Sequence, residues 1–285
     1  MNLNTKKYTI EDGEHKNEVI VSWIITHTCQ EQCAYCISPI KTLEITSEEE
    51  HFAIQNKMIM DGLKKNRYIG GEPLTIPHLP KLIADAFTKG VNTRLSTNGI
   101  LLTQSKFNEL KNFLNSIALP FETLNDNVNE KIRGIYGKKH REIISSRIKM
   151  IRDSNINIGL LINTCVHKEN INELEELGDF LSKNNIDHWK LRLFNYKTGR
   201  GAVQNKNRFM ISDLEFSDKV LQLQKMYPNL KIDGRKPSKL ETRLMLSPQG
   251  NLYRMVGSDE THVHYGNLLK DNLNIGKIYE RDRCN

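Results

Sequence analysis

From residue 19 onward the chain alternates short apolar runs with longer stretches of helical periodicity. Val19-Ile20-Val21-Ser22-Trp23-Ile24-Ile25 reads as a buried strand over about 19–26. Ser47-Glu48-Glu49-Glu50 opens a helix to about 61, with Ser47 at the N-cap and Glu50 at the capping-box position. Asn66-Arg67-Tyr68-Ile69 is a short strand, followed by a helix over about 77–89 and a third strand over about 92–96. The pattern then gives a helix at about 103–113, a strand at 116–120, a helix at about 141–153, a strand at 156–166 and a helix from Asn170 to about 184. In the sixth strand, His188–Phe194, Trp189, Leu191 and Leu193 alternate with Lys190 and Arg192, so it has two unlike faces. A strand–helix unit repeated six times predicts a parallel α/β sheet. Residues 1–18 are polar and form an N-terminal arm; 195–210 is the longest loop. A further helix starts at Ile211 and runs to about 226. Leu244–Tyr253 reads as strand, turn, strand, and Tyr265-Gly266-Asn267-Leu268-Leu269 as the start of a final helix or cap.

The composition narrows the class. With 285 residues, 38% of them hydrophobic, the chain has enough apolar material for one large α/β domain or two small ones. No apolar run approaches the roughly 20 residues a membrane span needs. The first residues, Met1–Lys7, lack the apolar segment of a signal peptide. Five cysteines, three of them clustered, argue against a secreted disulfide framework and for a reducing cytoplasm. The net charge is +7, but Lys and Arg are spread without a long run, which favours a few phosphate contacts over a nucleic-acid groove. The loop at 195–210 carries Lys197, Arg200, Lys206 and Arg208 beside two glycines; it could close over a phosphate or carboxylate, or simply be a solvated loop.

The chemistry concentrates just after the first strand, in Cys29-Gln30-Glu31-Gln32-Cys33-Ala34-Tyr35-Cys36. Cysteine thiolates hold iron–sulfur clusters, normally four for a four-iron cluster. Three thiols on one loop leave one iron open for a substrate or cofactor. No second pair completes a tetrahedral zinc site, although a zinc knuckle or buried structural cysteines remain alternatives. Cys165 sits in an apolar run and reads as core packing, and Cys284 is penultimate. One β/α unit later, Gly70-Gly71-Glu72-Pro73 pairs two residues that permit close backbone approach with a carboxylate and a turn-fixing proline. Ser96-Thr97-Asn98-Gly99 closes the third strand with a turn signal.

The C-x3-C-x2-C spacing and the GGEP segment together resemble the radical S-adenosylmethionine (SAM) superfamily. The resemblance implies a partial (β/α)6 barrel, open on one side, over residues 19–195, with a small C-terminal α+β extension over 196–285 covering the open side. It implies one [4Fe-4S] cluster on Cys29, Cys33 and Cys36, with SAM chelated at the open iron and cleaved to a 5′-deoxyadenosyl radical that takes a hydrogen atom from the substrate. The expected SAM contacts are Tyr35, Gly70, Gly71, Glu72, Pro73, Ser96, Asn98, Glu122, Asn163 and Phe194. Val128–Gly134 resembles a family segment ending in Arg-Gly. Relatives with a C-terminal hairpin of this kind often carry cysteines for auxiliary clusters; their absence here implies a single cluster.

Within the superfamily the layout resembles the viperin-like nucleotide dehydratases. The matching segments are Arg133-Gly134, Lys138-Lys139-His140, Ile162-Asn163-Thr164, Trp189-Lys190, and Arg208-Phe209-Met210-Ile211 with Glu215-Phe216. The implied reaction removes hydrogen from the ribose C4′ of a nucleoside triphosphate and expels the 3′-hydroxyl as water. Lys65, Arg67, Arg133, Lys190 and Arg192 would hold the triphosphate, with Lys197 and Arg200 on the closing loop. Two departures stand out: Ile37-Ser38-Pro39-Ile40-Lys41 lacks the family's aromatic and His residues, and Leu161 stands where viperins carry a lysine. A maturase acting on a ribosomally made peptide is the runner-up. A non-catalytic iron–sulfur regulator is the alternative from another class, and the GTP cyclase of molybdopterin synthesis fits less because its second cysteine set is missing. A reductase, flavodoxin or ferredoxin is the expected electron donor.

Overall fold

The computed structural model describes residues 18–38, 46–196, 201–236, 244–256 and 261–284. The first half is six strand–helix units: β1 (Val19–Thr26), α1 (Glu48–Met60), β2 (Leu63–Gly70), α2 (Leu79–Thr88), β3 (Asn92–Ser96), α3 (Gln104–Leu110), β4 (Ser116–Pro120), α4 (Asp126–Arg133), α5 (His140–Asp153), β5 (Gly159–Val166), α6 (Leu174–Lys183) and β6 (His188–Leu193). Then come α7 (Lys206–Phe209), α8 (Asp213–Met226), β7 (Lys231–Arg235), β8 (Leu244–Leu246), β9 (Asn251–Val256), β10 (Thr261–Asn267) and α9 (Ile275–Cys284). The sheet has ten strands in the order β10-β9-β8-β1-β2-β3-β4-β5-β6-β7. Strands β8 and β1–β7 run parallel, and β9 and β10 return antiparallel. This is the expected partial α/β barrel.

Period-two alternation splits the strands into two faces. Val21, Trp23, Ile25, Tyr68, Leu95, Ile117, Leu119, Leu160, Ile162, Trp189, Leu191 and Ile232 join the main core with the helices. Their neighbours Ser22, Arg67, Arg94, Ala118, Leu161, Lys190 and Arg192 lie outside that core, on the concave face. Trp23 is fully buried, packs edge-on against His51 at 5.3 Å, and donates to the Ser247 carbonyl at 3.2 Å, which ties β1 to the C-terminal hairpin. The α1 capping box forms as expected: Glu50 N donates to Ser47 Oγ at 3.1 Å, and Ser47 N donates to Glu50 Oε2 at 3.0 Å.

Four features depart from the sequence pattern. Residues 126–133 form α4, capped by Asn125, whose side chain accepts from Asn127 N at 3.0 Å; the charged, strongly two-sided segment carries too few apolar residues to stand out. The C-terminal residues widen the core sheet at both edges: β7 pairs with β6, and β8 pairs with β1. Gly266 and Asn267 end strand β10, paired to β9, where the sequence suggested a helix start; cross-strand pairing overrides the local turn signal. Finally, the long loop contains the short helix α7.

Candidate active site at the carboxyl ends of the strands

The cysteine loop leaves the end of β1 and is pinned by three separate segments. Gly71 N donates to Thr26 O at 2.8 Å, and Glu72 N donates to Thr28 O at 2.7 Å. Here the two glycines are required: a Cβ at Gly70 would fall 2.3 Å from Thr26 O, and one at Gly71 would fall 2.3 Å from Thr28 O. From α4, Ile132 O accepts from Ala34 N at 2.8 Å. From the turn before α7, Gly201 N and Ala202 N both donate to Cys36 O at 3.3 Å, and Asn205 Nδ2 donates to Ala34 O at 3.2 Å. Gly201, one of the two glycines of the long loop, is pressed on the cysteine loop: its Cβ would lie 2.5 Å from Cys33 O. The thiols of Cys29, Cys33 and Cys36 are free and half-buried. Burial raises the Cys29 and Cys33 thiol pKa values; at Cys33 the Arg133 charge works against that rise.

Glu72 is fully buried and its carboxylate is taken up by the protein. Oε1 accepts from Leu74 N at 3.0 Å and Thr97 Oγ1 at 2.7 Å, and Oε2 accepts from Asn98 N at 2.7 Å. Burial lifts its pKa to about 7, against the pull of those hydrogen bonds. Glu72 thus locks the GGEP turn to the end of β3. Asn98 continues the chain of contacts, with Nδ2 at 3.8 Å from Cys29 Sγ and Oδ1 accepting from Gln30 Nε2 at 3.3 Å. Thr97 was not singled out from sequence; a hydroxyl one residue before the Asn was its only signal. Pro73 opens a short 3-10 turn behind Glu72, and Ser96 ends β3 beside it, half-buried.

Arg133 differs from its expected role as a triphosphate cation. It is buried, and its guanidinium binds two carboxylates. NH1 donates to Glu31 at 2.9 and 3.2 Å, while Nε donates to Glu122 at 3.2 Å and NH2 also bonds Glu122. Glu122, expected beside SAM, is thereby engaged from within the protein. Tyr35 lies under the guanidinium, 5.6 Å from ring centroid to Cζ, and stacks on His167 at 6.1 Å. Tyr35 and Cys165 pack against a second small cluster that holds Ile132, Phe194, Ala202 and Phe209, so Cys165 belongs there and not in the main core.

Below this rim the concave face is mostly basic, with Asp233 opposite Lys190. Register sets Arg67 opposite Arg94, Asn163 opposite Lys190, and Arg192 opposite Arg235. Burial and one another's charge lower the pKa values of three of these arginines: Arg67 well below its usual value, Arg94 and Arg192 to about 10. Arg94 Nε also donates to Ser116 Oγ at 2.9 Å. Arg94 and Arg235 were missed from sequence because only the pairing of β2 with β3 and of β6 with β7 sets them beside Arg67 and Arg192. Lys190 is buried; Lys65, at the far end of β2, pairs with Glu18 at 2.7 Å. On the long loop Arg208 is paired with Glu169 at 2.6 Å and Lys206 lies 4.2 Å over the Tyr196 ring. Lys197 and Arg200 lie outside the described residues.

The family model of the radical SAM superfamily matches residues 23–181. The chain belongs to the radical SAM superfamily. A curated relative named S-adenosylmethionine-dependent nucleotide dehydratase, from Lacinutrix mariniflava, is 31% identical over 70% of this chain and 43% of its own length. A second of that name, from Flammeovirga pacifica, is 24% identical over 91% of this chain and 89% of its own length. A PqqA peptide cyclase of Granulibacter bethesdensis is 28% identical over 54% of this chain and 41% of its own length. The chain thus spans less than half the length of the first and third of these. Among solved structures, Streptococcus suis SuiB bound to S-adenosylmethionine superposes with a TM-score of 0.72 at 14% identity, over 93% of this chain and 68% of that one. The enzyme anSMEcpe with bound AdoMet superposes with a TM-score of 0.70 at 12% identity, over 92% and 79%. Both likenesses are of fold.

The cofactors of this radical SAM chain are a [4Fe-4S] cluster and SAM. The residues present fit them. Among the described residues no three His, Cys, Asp or Glu side chains gather around one point as a single-ion site would need. Three free thiols on one pinned loop would instead suit a cluster with one open iron. The two glycines bring the GGEP backbone against that loop, leaving no side chain between them. Among the described residues, no helix is long and apolar enough to cross a membrane.

Proposed function

We propose that this protein is a radical SAM lyase acting on a nucleoside triphosphate, which it dehydrates in a viperin-like reaction. One observation carries the choice of substrate: Arg67, Arg94, Arg192 and Arg235 converge on the concave face just below the cysteine loop, where burial and mutual repulsion lower the pKa values of Arg67, Arg94 and Arg192. Asp233, opposite Lys190 on β7, offsets part of this charge; the face keeps an excess of cations, and planar guanidinium groups suit phosphate oxygens. A polyphosphate fits that excess better than a peptide backbone does. Arg94 and Arg235 also supply cations from β3 and β7, two strands to either side of β5, where Leu161 replaces the viperin lysine. The relatives named nucleotide dehydratases support the same reading.

In this reading the cluster and SAM supply the 5′-deoxyadenosyl radical, and the chain's own residues orient the substrate. The arginines and Lys190 hold the phosphates on the concave face. Asn163, opposite Lys190, faces the same space from β5. Cys29, Cys33 and Cys36 hold the cluster, and the GGEP turn, Ser96 and Asn98 shape the SAM pocket. A ferredoxin, flavodoxin or reductase delivers the electron. Fixing the ribose C4′ hydrogen near the radical carbon is the protein's main contribution, because orientation converts an encounter into an intramolecular step.

The test is anaerobic. The reconstituted protein is incubated with SAM, dithionite and each nucleoside triphosphate, and 5′-deoxyadenosine is measured. Stimulation by one nucleotide, with a product lighter by one water, is the expected result. Slow deoxyadenosine formation indifferent to all nucleotides would overturn the reading and turn attention to peptides, as the PqqA peptide cyclase likeness suggests.

A further inference from the structure

The buried ion triad Glu31–Arg133–Glu122 has no part in the substrate reading above. Arg133 closes α4, Glu31 lies between the first two cysteines, and Glu122 follows β4; none is more than 2% exposed. The guanidinium donates to Glu31 at 2.9 and 3.2 Å, to Glu122 at 3.2 Å, and lies 3.6 Å from Cys33 Sγ. Cys33 Sγ is also 3.7 Å from Glu31 Oε2. The neighbouring Ile132 carbonyl holds Ala34 N, and the guanidinium covers Tyr35. The end of α4 therefore touches residues 31, 33, 34 and 35, which is most of the loop between the first and third cysteines.

Burying three charges is costly, and replacing such a group with apolar residues is often neutral or better for stability. The triad's place, in contact with a cluster thiol, gives it another use. Reduction potentials of iron–sulfur clusters respond to nearby charge and to hydrogen bonds on the sulfurs. Two carboxylates facing one guanidinium leave a net negative charge beside Cys33, and the only cation of the triad is the group that also donates to its sulfur.

We propose that Arg133 is a positioning residue for the cluster: its guanidinium, shared between Glu31 and Glu122 and bonded to Cys33, fixes the cysteine loop and sets the reduction potential. This rests on the chain's family membership and holds whichever substrate it uses. Two separable consequences follow from charge and shape. Removing the positive charge with Arg133→Gln moves the potential in the negative direction, and removing a negative charge with Glu31→Gln moves it in the positive direction. Arg133→Lys keeps the charge but cannot span two carboxylates, so it leaves the potential near that of the parent and lowers iron retention.

The experiment uses the full chain, reconstituted anaerobically. Iron and sulfide per chain are counted, and the cluster is titrated with dithionite through redox mediators while its electron paramagnetic resonance signal is followed, with and without SAM. Opposite shifts for Arg133→Gln and Glu31→Gln, with reduced iron retention in Arg133→Lys, are expected. If Arg133→Gln does not fold, Glu31→Gln and Arg133→Lys carry the test. An unmoved midpoint in Glu31→Gln would overturn the proposal and leave a purely structural triad. Full iron content in Arg133→Lys, with loss only of the SAM-induced spectral change, would also overturn it and make Arg133 a SAM ligand.

Discussion

Two layers of the same barrel handle charge in different ways. At the strand ends three buried acids, Glu31, Glu72 and Glu122, gather with the buried Arg133. One layer down, the same concave face carries mostly bases, Arg67, Arg94, Lys190, Arg192 and Arg235, with Asp233 among them. The acids are satisfied by the protein's own donors, Glu72 by two backbone amides and a hydroxyl, Glu31 and Glu122 by Arg133. That layer is held in shape by its own hydrogen bonds. Arg192 has Asp233 as a counter-charge, yet the arginines still lower one another's pKa values, and a polyanion would relieve that repulsion. Satisfied polar networks rigidify a site, whereas a face with an excess of one charge suits the polyanion proposed above.

This contrast can be broken at either layer. The largest effect is expected from Cys29→Ala, Cys33→Ala or Cys36→Ala: each abolishes cluster and SAM cleavage, read as iron content and 5′-deoxyadenosine. Retained cleavage in any one would remove that cysteine from the ligand set. Gly71→Ala comes next, because its methyl would sit 2.3 Å from Thr28 O and push the cysteine loop aside. A displacement of that kind costs about 100-fold in rate; a normal rate would show that the loop gives way freely.

In the lower layer, Arg94→Gln and Arg192→Gln should each raise the nucleotide KM by roughly 10-fold or more, since a charge-assisted hydrogen bond contributes about 1.5–3 kcal/mol. Nucleotide-independent SAM cleavage should not change. Equal loss of both activities would mean that the cations support the fold and not the substrate. Glu72 gives a pH signature. Its pKa rises from 4.5 to about 7 on folding, so the native state binds more protons between those values. Its contribution to stability is full below pH 4.5, declines as pH rises, and is gone above about pH 7, a change on the order of 1–3 kcal/mol. Denaturant titrations should show that slope in the parent protein and lose it in Glu72→Gln. The smallest effect is Ser47→Ala, which removes one side of the α1 capping box and should cost about 1 kcal/mol in the same assay.

How much was legible follows from how each feature is encoded. The six strand–helix units and the Ser47 cap showed because they depend on residues close in sequence. Strand β10 and helix α4 did not: the first owes its state to pairing with β9, and the second is mostly charged. The glycines of GGEP could be read as points of close approach, but not what they approach. Nothing local to Gly201 showed that the cysteine loop lies against it.

The amino-acid order alone determined the alternating faces, the three-thiol loop and its family. Spacing of two, of 3.6 and of C-x3-C-x2-C is written within a few residues and needs no distant partner. Only the tertiary structure decided which charges meet. Arg133 reaches Glu31, 102 positions away, and the arginines of β2, β3, β6 and β7 share one face because the strands lie side by side. Coulomb energies depend on separation in space, and the sequence fixes that separation only through the whole folded sheet.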